Sequence, residues 1–219
     1  MTDTGALTIG EVSKMYRVMQ TVFELVSDRH YNPSKEWLAA SLDDFRKNFI
    51  HETANSAVIL RDKMLLICHR DTDDDHLFVF FNGDASVNTL KIKEYAAKAR
   101  SENATKILLV CAGKLNPASK KYVEELPREP GQPLHMQVFD EDDLVVNITK
   151  HELVPRHDLM STEEAKTVLD TYNLKTSMLP RILSRDPVSL YYGAQKGNIF
   201  RITRKSETAG TYITYRQVL

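Results

Sequence analysis

The segment KILLVCAG at residues 106–113 constrains the fold more than any other part of the chain. Its apolar residues run without a polar break, and Gly113 closes them. A strand with one wet face alternates apolar and polar side chains, whereas a strand covered on both faces need not. The run therefore demands a sheet buried from two sides. HLFVFFN at 76–82 and HMQVFD at 135–140 read as further strands of that sheet. A helix starting from a Ser86 cap and running to about Arg100 is expected between the first and second strands, and another around 117–125 between the second and third. Strand, helix, strand, helix, strand predicts an α/β sheet. AVILRDKMLLICH at 57–69 adds two apolar stretches joined by a polar turn, and PREPGQP at 127–133 is a loop.

Upstream, Val12, Met15, Tyr16, Met19, Val22, Phe23 and Val26 recur at helical spacing and predict an amphipathic helix ending near Asp28 and Arg29. Asn32-Pro33-Ser34 breaks the chain there, because proline disfavours a helical residue before it and serine can cap a helix after it. After Ser41, Leu42, Phe45 and Phe49 share a second helical face. The later part of the chain is smaller and mixed. Ser161-Thr162-Glu163-Glu164 has the capping-box pattern, and Ala165, Val168, Leu169 and Tyr172 then form an apolar face. Asp186-Pro187 opens a short helix through Tyr191 that stops at Gly193. GNIFRITRK (197–205) and GTYITYRQV (210–218) alternate with period two and predict a hairpin joined by Ser206–Gly210. The expected fold class is α/β (α+β), an α/β domain at 1–143 and a small α+β domain at 144–219, divided after the acidic run Asp140–Asp143.

Charge follows the same division. Residues 1–143 carry 18 Lys+Arg against 23 Asp+Glu, a net of −5, and residues 144–219 carry 11 against 7, a net of +4. The overall −1 hides this split, which points to two parts with different partners. A chain of 219 residues builds its core without a disulfide or metal staple. Cys68 and Cys111 are too few for a disulfide scaffold and lack metal-ligand spacing, which fits a reducing compartment. No stretch approaches the roughly 18 uninterrupted apolar residues of a membrane span. No basic segment followed by an apolar core opens the chain, so no secretory signal and no membrane partner are expected.

Catalytic signatures fail in turn: there is no G-x-G-x-x-G, Walker A, H-E-x-x-H or G-x-S-x-G run. His151 and His157, with Glu152 between them, are a conceivable metal set, but Pro155 breaks any helix that would align them. Asp71, Asp73, Asp74 and Asp75 could hold a divalent cation for phosphodiester cleavage. That chemistry also wants an acidic residue and a lysine two apart on an adjoining strand. The only Glu-x-Lys is Glu164-Ala165-Lys166, on a predicted helix of the second domain, so the Asp run reads more simply as a solvated turn. In the C-terminal hairpin, Arg201, Arg204, Lys205 and Arg216 interleave with Tyr212 and Tyr215. Such a face suits phosphate or an acidic protein partner, since Arg and Tyr are also enriched at protein interfaces. Periodicity leaves both readings open.

LVVNITKHELVPRH (144–157) and LPRILSRDPVSLYYGAQKGNIFRITRKSETAGTYITYR (179–216), with the capped helix between them, closely resemble one family. It is the shared fifth subunit of eukaryotic nuclear RNA polymerases, whose C-terminal half is similar to a small subunit of archaeal RNA polymerase. HELVP, LPRI, DPV, YYG and RKSETAG-x-Y-x-x-YR stand in that family's order and spacing. SDRHY (27–31), SLDDFRKNF (41–49) and VFFNGDASVNTLK (79–91) resemble its eukaryote-specific N-terminal domain. The resemblance implies a nuclear, non-catalytic polymerase subunit that needs no cofactor. It implies that the second domain docks on the largest polymerase subunit and helps assemble the enzyme. The interface residues carried over are His151, Glu152, Leu153, Asp186, Tyr191, Tyr192, Arg204, Ser206, Glu207, Thr208, Tyr212 and Tyr215, although the tyrosines could equally fill a small core.

For the first domain the resemblance implies a nuclease-like jaw without a nuclease active site, lying near downstream double-stranded DNA. General transcription factors are among the further partners it implies. The family's DNA-proximal loop has a Thr-Pro-Ser-Ala-like core. The matching segment is Asn116, Pro117, Ala118 and Ser119, which keeps only the proline and is followed by Lys120 and Lys121. A proline-fixed turn at a helix start offers free backbone N–H groups to phosphate, and the lysines add charge. The alternatives are a metal-dependent nuclease using the Asp71–Asp75 run and a free adaptor that binds transcription factors.

Overall fold

The computed structural model describes residues 9–33, 41–53, 56–71, 75–129, 133–206 and 210–219. Ser34, Asp73, Asp74, Glu207 and Thr208 lie outside the described residues. Contacts divide the chain into two units, residues 1–146 and 147–219.

The first unit opens with α1 (Ile9–Asp28), α2 (Leu42–Phe49) and an antiparallel pair, β1 (Ile50–Thr53) and β2 (Ser56–Ile59). Then come β3 (Leu66–Arg70), β4 (Asp75–Asn82), β5 (Ser86–Val87), α3 (Thr89–Ser101), β6 (Lys106–Cys111), β7 (Lys114–Leu115), α4 (Pro117–Glu125) and β8 (His135–Asp140). The central sheet has the order β3-β4-β6-β8, with β3 antiparallel to β4 and the other neighbours parallel. Helical crossovers join β4 to β6 and β6 to β8, as parallel neighbours require.

The sheet is covered on both faces, as the 106–113 run demands. Phe78, Phe80, Ile107 and Leu109 pack with Ile92, Tyr95, Ala96 and Ala99 of α3. The alternate residues Leu77, Val79, Phe81, Leu108 and Val110 are equally buried. Just beyond α1, Arg29 donates to Gln137 at 2.8 Å, and Gln137 is the register partner of Leu108. This contact lays α1 along the second face, where its Val18, Val22, Leu25 and Val26 are fully buried.

One helix start differs from expectation. Asn88, not Ser86, caps α3, with its side-chain oxygen accepting from the Lys91 N–H at 2.9 Å. Ser86 instead lies in β5, paired with Lys114 of β7. The cause is Val87, which is wholly buried and holds the chain extended for two residues more. Gly113 meets a closer constraint than turn geometry, because a Cβ there would stand 2.2 Å from the carbonyl oxygen of Ala85. The acidic run ends this unit in a short 3-10 helix, Glu141–Leu144, in which Leu144 is buried and Glu141 accepts from Arg61 at 2.8 Å.

The second unit contains β9 (Arg156–Leu159), α5 (Thr162–Thr171), β10 (Arg181–Ile182), α6 (Pro187–Tyr191), β11 (Ile199–Ser206) and β12 (Gly210–Val218). Its sheet has the order β10-β12-β11-β9. The β11–β12 hairpin forms as expected, and β9 and β10 extend it on either side. Ser161 and Glu164 close a reciprocal capping box at α5. Ile182, Phe200, Ile202 and Val218 form a small core with Tyr192 and Ala194 against it. Helices and strands mix in both units, in agreement with the expected fold class. Among the described residues no helix is long and apolar enough to cross a membrane.

Candidate functional site

In the second unit the sheet sorts side chains by parity. β11 turns Phe200, Ile202 and Arg204 to one face and Arg201 and Thr203 to the other. Tyr191 is only 2% exposed, and its hydroxyl accepts from the Asn147 side-chain amide at 2.9 Å. Its ring meets Tyr192, which in turn meets Phe200. Asp186 caps α6 by accepting from the Val188 N–H at 2.9 Å. Two residues expected at an interface are thus structural: Tyr191 fills the core and Asp186 holds a helix start. Tyr192 is half-buried beside them.

The remaining interface candidates face outward or flank the hairpin. His151 and Glu152 are exposed, and His151 Nδ1 accepts from the Leu153 N–H at 3.2 Å. Leu153 is 84% exposed and Tyr212 is 40% exposed. Arg204 is half-buried directly opposite Tyr212, and Tyr215 is half-buried with its ring near Tyr172. Ser206 ends β11 opposite Gly210. His157 is separated from His151 in role. Burial pushes the His157 ring below its ordinary pKa, and its Nδ1 is 2.7 Å from the Pro155 carbonyl. Among the described residues no group of three His, Cys, Asp or Glu could hold a metal ion.

This unit leaves much apolar surface uncovered. Nine large apolar side chains are exposed among its described residues: Leu153, Leu159, Tyr172, Leu174, Met178, Leu183, Tyr212, Ile213 and Leu219. No residue of α5 is fully buried, and a cleft of about 620 Å³ beside it is lined by Met160, Ala165, Leu169, Leu174 and Ile199. A unit this small buries a smaller share of its surface than a larger domain does, and so much exposed apolar surface is what an interaction surface offers a partner.

In the first unit, the 116–121 segment is the start of α4. Asn116 caps it by accepting from the Ser119 N–H at 2.7 Å, and Pro117 takes the first helical position. Ser119 is wholly buried, with its hydroxyl donating to the Val87 carbonyl at 2.9 Å. Pro117, Ala118, Lys120 and Lys121 are exposed, Asn116 is half-buried, and Lys121 lies 3.9 Å from Glu125. The segment therefore divides, with Ser119 facing inward. The expected row of free amides is also reduced, since Asn116 takes the Ser119 N–H and proline has none. Charge on the two lysines is what this corner offers an anion.

The aspartate run resolves into a different arrangement. Asp75 opens β4 with a side chain only 9% exposed. It accepts from Tyr31 at 2.6 Å, from Lys106 at 2.6 Å and from the Thr105 hydroxyl, with Arg70 at 3.2 Å. Burial alone would raise its pKa, but the hydrogen bonds from Lys106, Thr105 and Tyr31 pull it down to about 2. Asp71 accepts from Asn32 at 2.7 Å. Asp75 thus balances cations of the protein itself and is not the solvated turn residue that the run suggested. Sequence reasoning missed this cluster because Tyr31, Asp75 and Lys106 are far apart in the chain. The one available signal was that Asp75 and Lys106 open neighbouring strands.

Comparison with known proteins adds two family models. RNA polymerase Rpb5, N-terminal domain, matches residues 10–99, and RNA polymerase Rpb5, C-terminal domain, matches residues 146–218. The chain is 36% identical over 210 residues to the DNA-directed RNA polymerases I, II, and III subunit RPABC1 of Caenorhabditis briggsae, covering 95% of this chain and 97% of that one. Against the protein of the same name from Dictyostelium discoideum, identity is 32% over 207 residues, covering 94% and 98%.

Proposed function

The chain belongs to the RNA polymerase Rpb5 family, and on that premise we propose that it is a non-catalytic subunit of nuclear DNA-directed RNA polymerase. Its relatives are named as subunits of polymerases I, II and III. Its partners are then other polymerase subunits. Unit 147–219 docks on the largest of them, and the observation that carries this is the nine exposed apolar side chains around a core of a few residues. Burying such a surface against a partner supplies the apolar contact that the unit lacks alone.

Unit 1–146 lies near downstream double-stranded DNA, with Lys120 and Lys121 at the exposed corner of α4. The net of −5 over residues 1–143 opposes strong binding of DNA by this part on its own. DNA contact is then a consequence of being held in the polymerase, where general transcription factors also have access.

Affinity purification of the chain from nuclear extract tests the first part. The largest polymerase subunit is expected in stoichiometric amount, and recovery of folded protein without polymerase subunits would refute the reading. Lys120→Ala with Lys121→Ala tests the second. Downstream-DNA engagement by the assembled polymerase should weaken and its log–log salt slope should fall by about 2. Assembly should be unchanged, and its loss would move the corner from DNA to docking.

A further inference from the structure

We propose that Arg204 and Arg216 form an anchor for carboxylate side chains on an acidic segment of a protein partner, a refinement that rests on the assembly reading above. The two arginines share one sheet face, because the register pairs Arg204 with Tyr212, Ile202 with Thr214 and Phe200 with Arg216. His157 sits on the same face opposite Ile202. Besides its burial, both guanidinium groups disfavour its charged form, so the two positive charges converge on one region. Asp186 acts on His157 in the opposite sense, and one of its oxygens is engaged at the α6 cap.

The opposite face supplies the contrast. There Arg156 and Arg201 both reach Asp158, at 2.9 and 3.6 Å. Among the described residues, neither Arg204 nor Arg216 has a carboxylate within ion-pairing distance. Arg204 Nε is buried without a hydrogen-bond partner among the described residues. A half-buried guanidinium without an acceptor is unfavourable, and a carboxylate is the acceptor that matches its fork. Tyr212, exposed directly opposite Arg204, completes an Arg–Tyr pair of the kind that dominates protein interfaces. Phosphate backbones are met by cations reaching out from a surface. A half-buried arginine beside exposed apolar side chains suits a carboxylate on a flexible side chain better.

The test uses the full chain and overlapping synthetic peptides spanning the largest polymerase subunit, with binding read by fluorescence anisotropy. Peptides that bind should carry Asp or Glu. Their affinity should fall about tenfold or more with Arg204→Gln, with Arg216→Gln, or when the peptide acids become Asn and Gln. Arg204→Lys should recover only part of the affinity, because a lysine cannot present the fork. Glu163→Gln, which neutralises an exposed acid of α5, should leave binding intact. Unchanged peptide binding by an Arg204→Gln chain that melts like wild type would overturn the proposal. So would equal binding of acid-free peptides, competition by duplex DNA, or a loss with Glu163→Gln as large as with Arg204→Gln. Arg216→Gln keeps the test decisive if the Arg204 variant fails to fold. If wild type and Arg204→Gln both recover the polymerase in full, the anchor fails and the assembly reading stands. If wild type recovers no polymerase, the assembly reading fails, and the peptide assay still decides the anchor.

Discussion

Asp75→Asn tests whether the cluster at the start of β4 supports the first unit. The carboxylate is 9% exposed and accepts from Tyr31, Lys106 and Thr105, with Arg70 at 3.2 Å. Its pKa falls from the ordinary 3.8 to about 2. A shift of that size corresponds to roughly 2.5 kcal/mol, and partial solvent access at the site reduces it to roughly 1–2 kcal/mol. Neutralising Asp75 also removes the anion shared by Lys106 and Arg70, which both lie near the Tyr31 ring, at 5.6 and 4.7 Å from its centre. The stranded cations raise the expected loss to roughly 2 kcal/mol near neutral pH, below the 3–5 kcal/mol of a fully buried pair because Lys106 is partly exposed. That loss lowers the melting temperature by about 4–8 °C.

The folded-state pKa of Asp75 is depressed, so its contribution is complete above pH 3.8 and is lost as pH falls through about 2. Urea unfolding of the full chain, followed by circular dichroism from neutral pH downward, should show a constant gap between wild type and variant until about pH 4, then a narrowing one. A gap below about 0.5 kcal/mol at neutral pH, or one that persists unchanged to about pH 2.5, would refute the reasoning.

Two further substitutions probe single contacts. Tyr191→Phe removes the hydroxyl that accepts from Asn147 inside the second unit, and should cost roughly 1–2 kcal/mol in thermal unfolding. An unchanged melting temperature would mean that this hydrogen bond contributes nothing. Gly113→Ala would bring a Cβ within 2.2 Å of the Ala85 carbonyl, so the backbone must shift, and a loss of roughly 2 kcal/mol or more is expected. Wild-type stability for that variant would show that the backbone at Ala85 yields freely.

How far each element could be read from the sequence was set by the length of its pattern. The 106–113 run, the Ser161 capping box and the β11–β12 hairpin each span enough residues for a period or a cap to be counted. β9 has four residues and β10 two, too few for alternation to emerge from the background. Ser86 and Asn88 are both good caps two residues apart, and only the burial of Val87 chooses between them. The aspartate run misled for a different reason. Local composition cannot tell that Lys106, Thr105 and Tyr31 converge on its last member, because strand neighbours are chosen by topology.

The same logic decides the charge of the second unit's two faces. Asp158 neutralises Arg201 because β9 and β11 pair in the register that sets them opposite each other. A slip of one residue would turn Asp158 to the other face, toward Phe200 and Ile202, and would leave Arg201 without it. The register itself is fixed by apolar packing. His157 is 8% exposed with its ring edge-on to Phe200, and a slip would expel it in favour of a carboxylate that the core cannot solvate. The buried histidine therefore determines which arginines are satisfied within the chain. Arg204 and Arg216 remain for a partner because packing leaves Asp158 no other face to occupy, a consequence that net charge along the sequence cannot express.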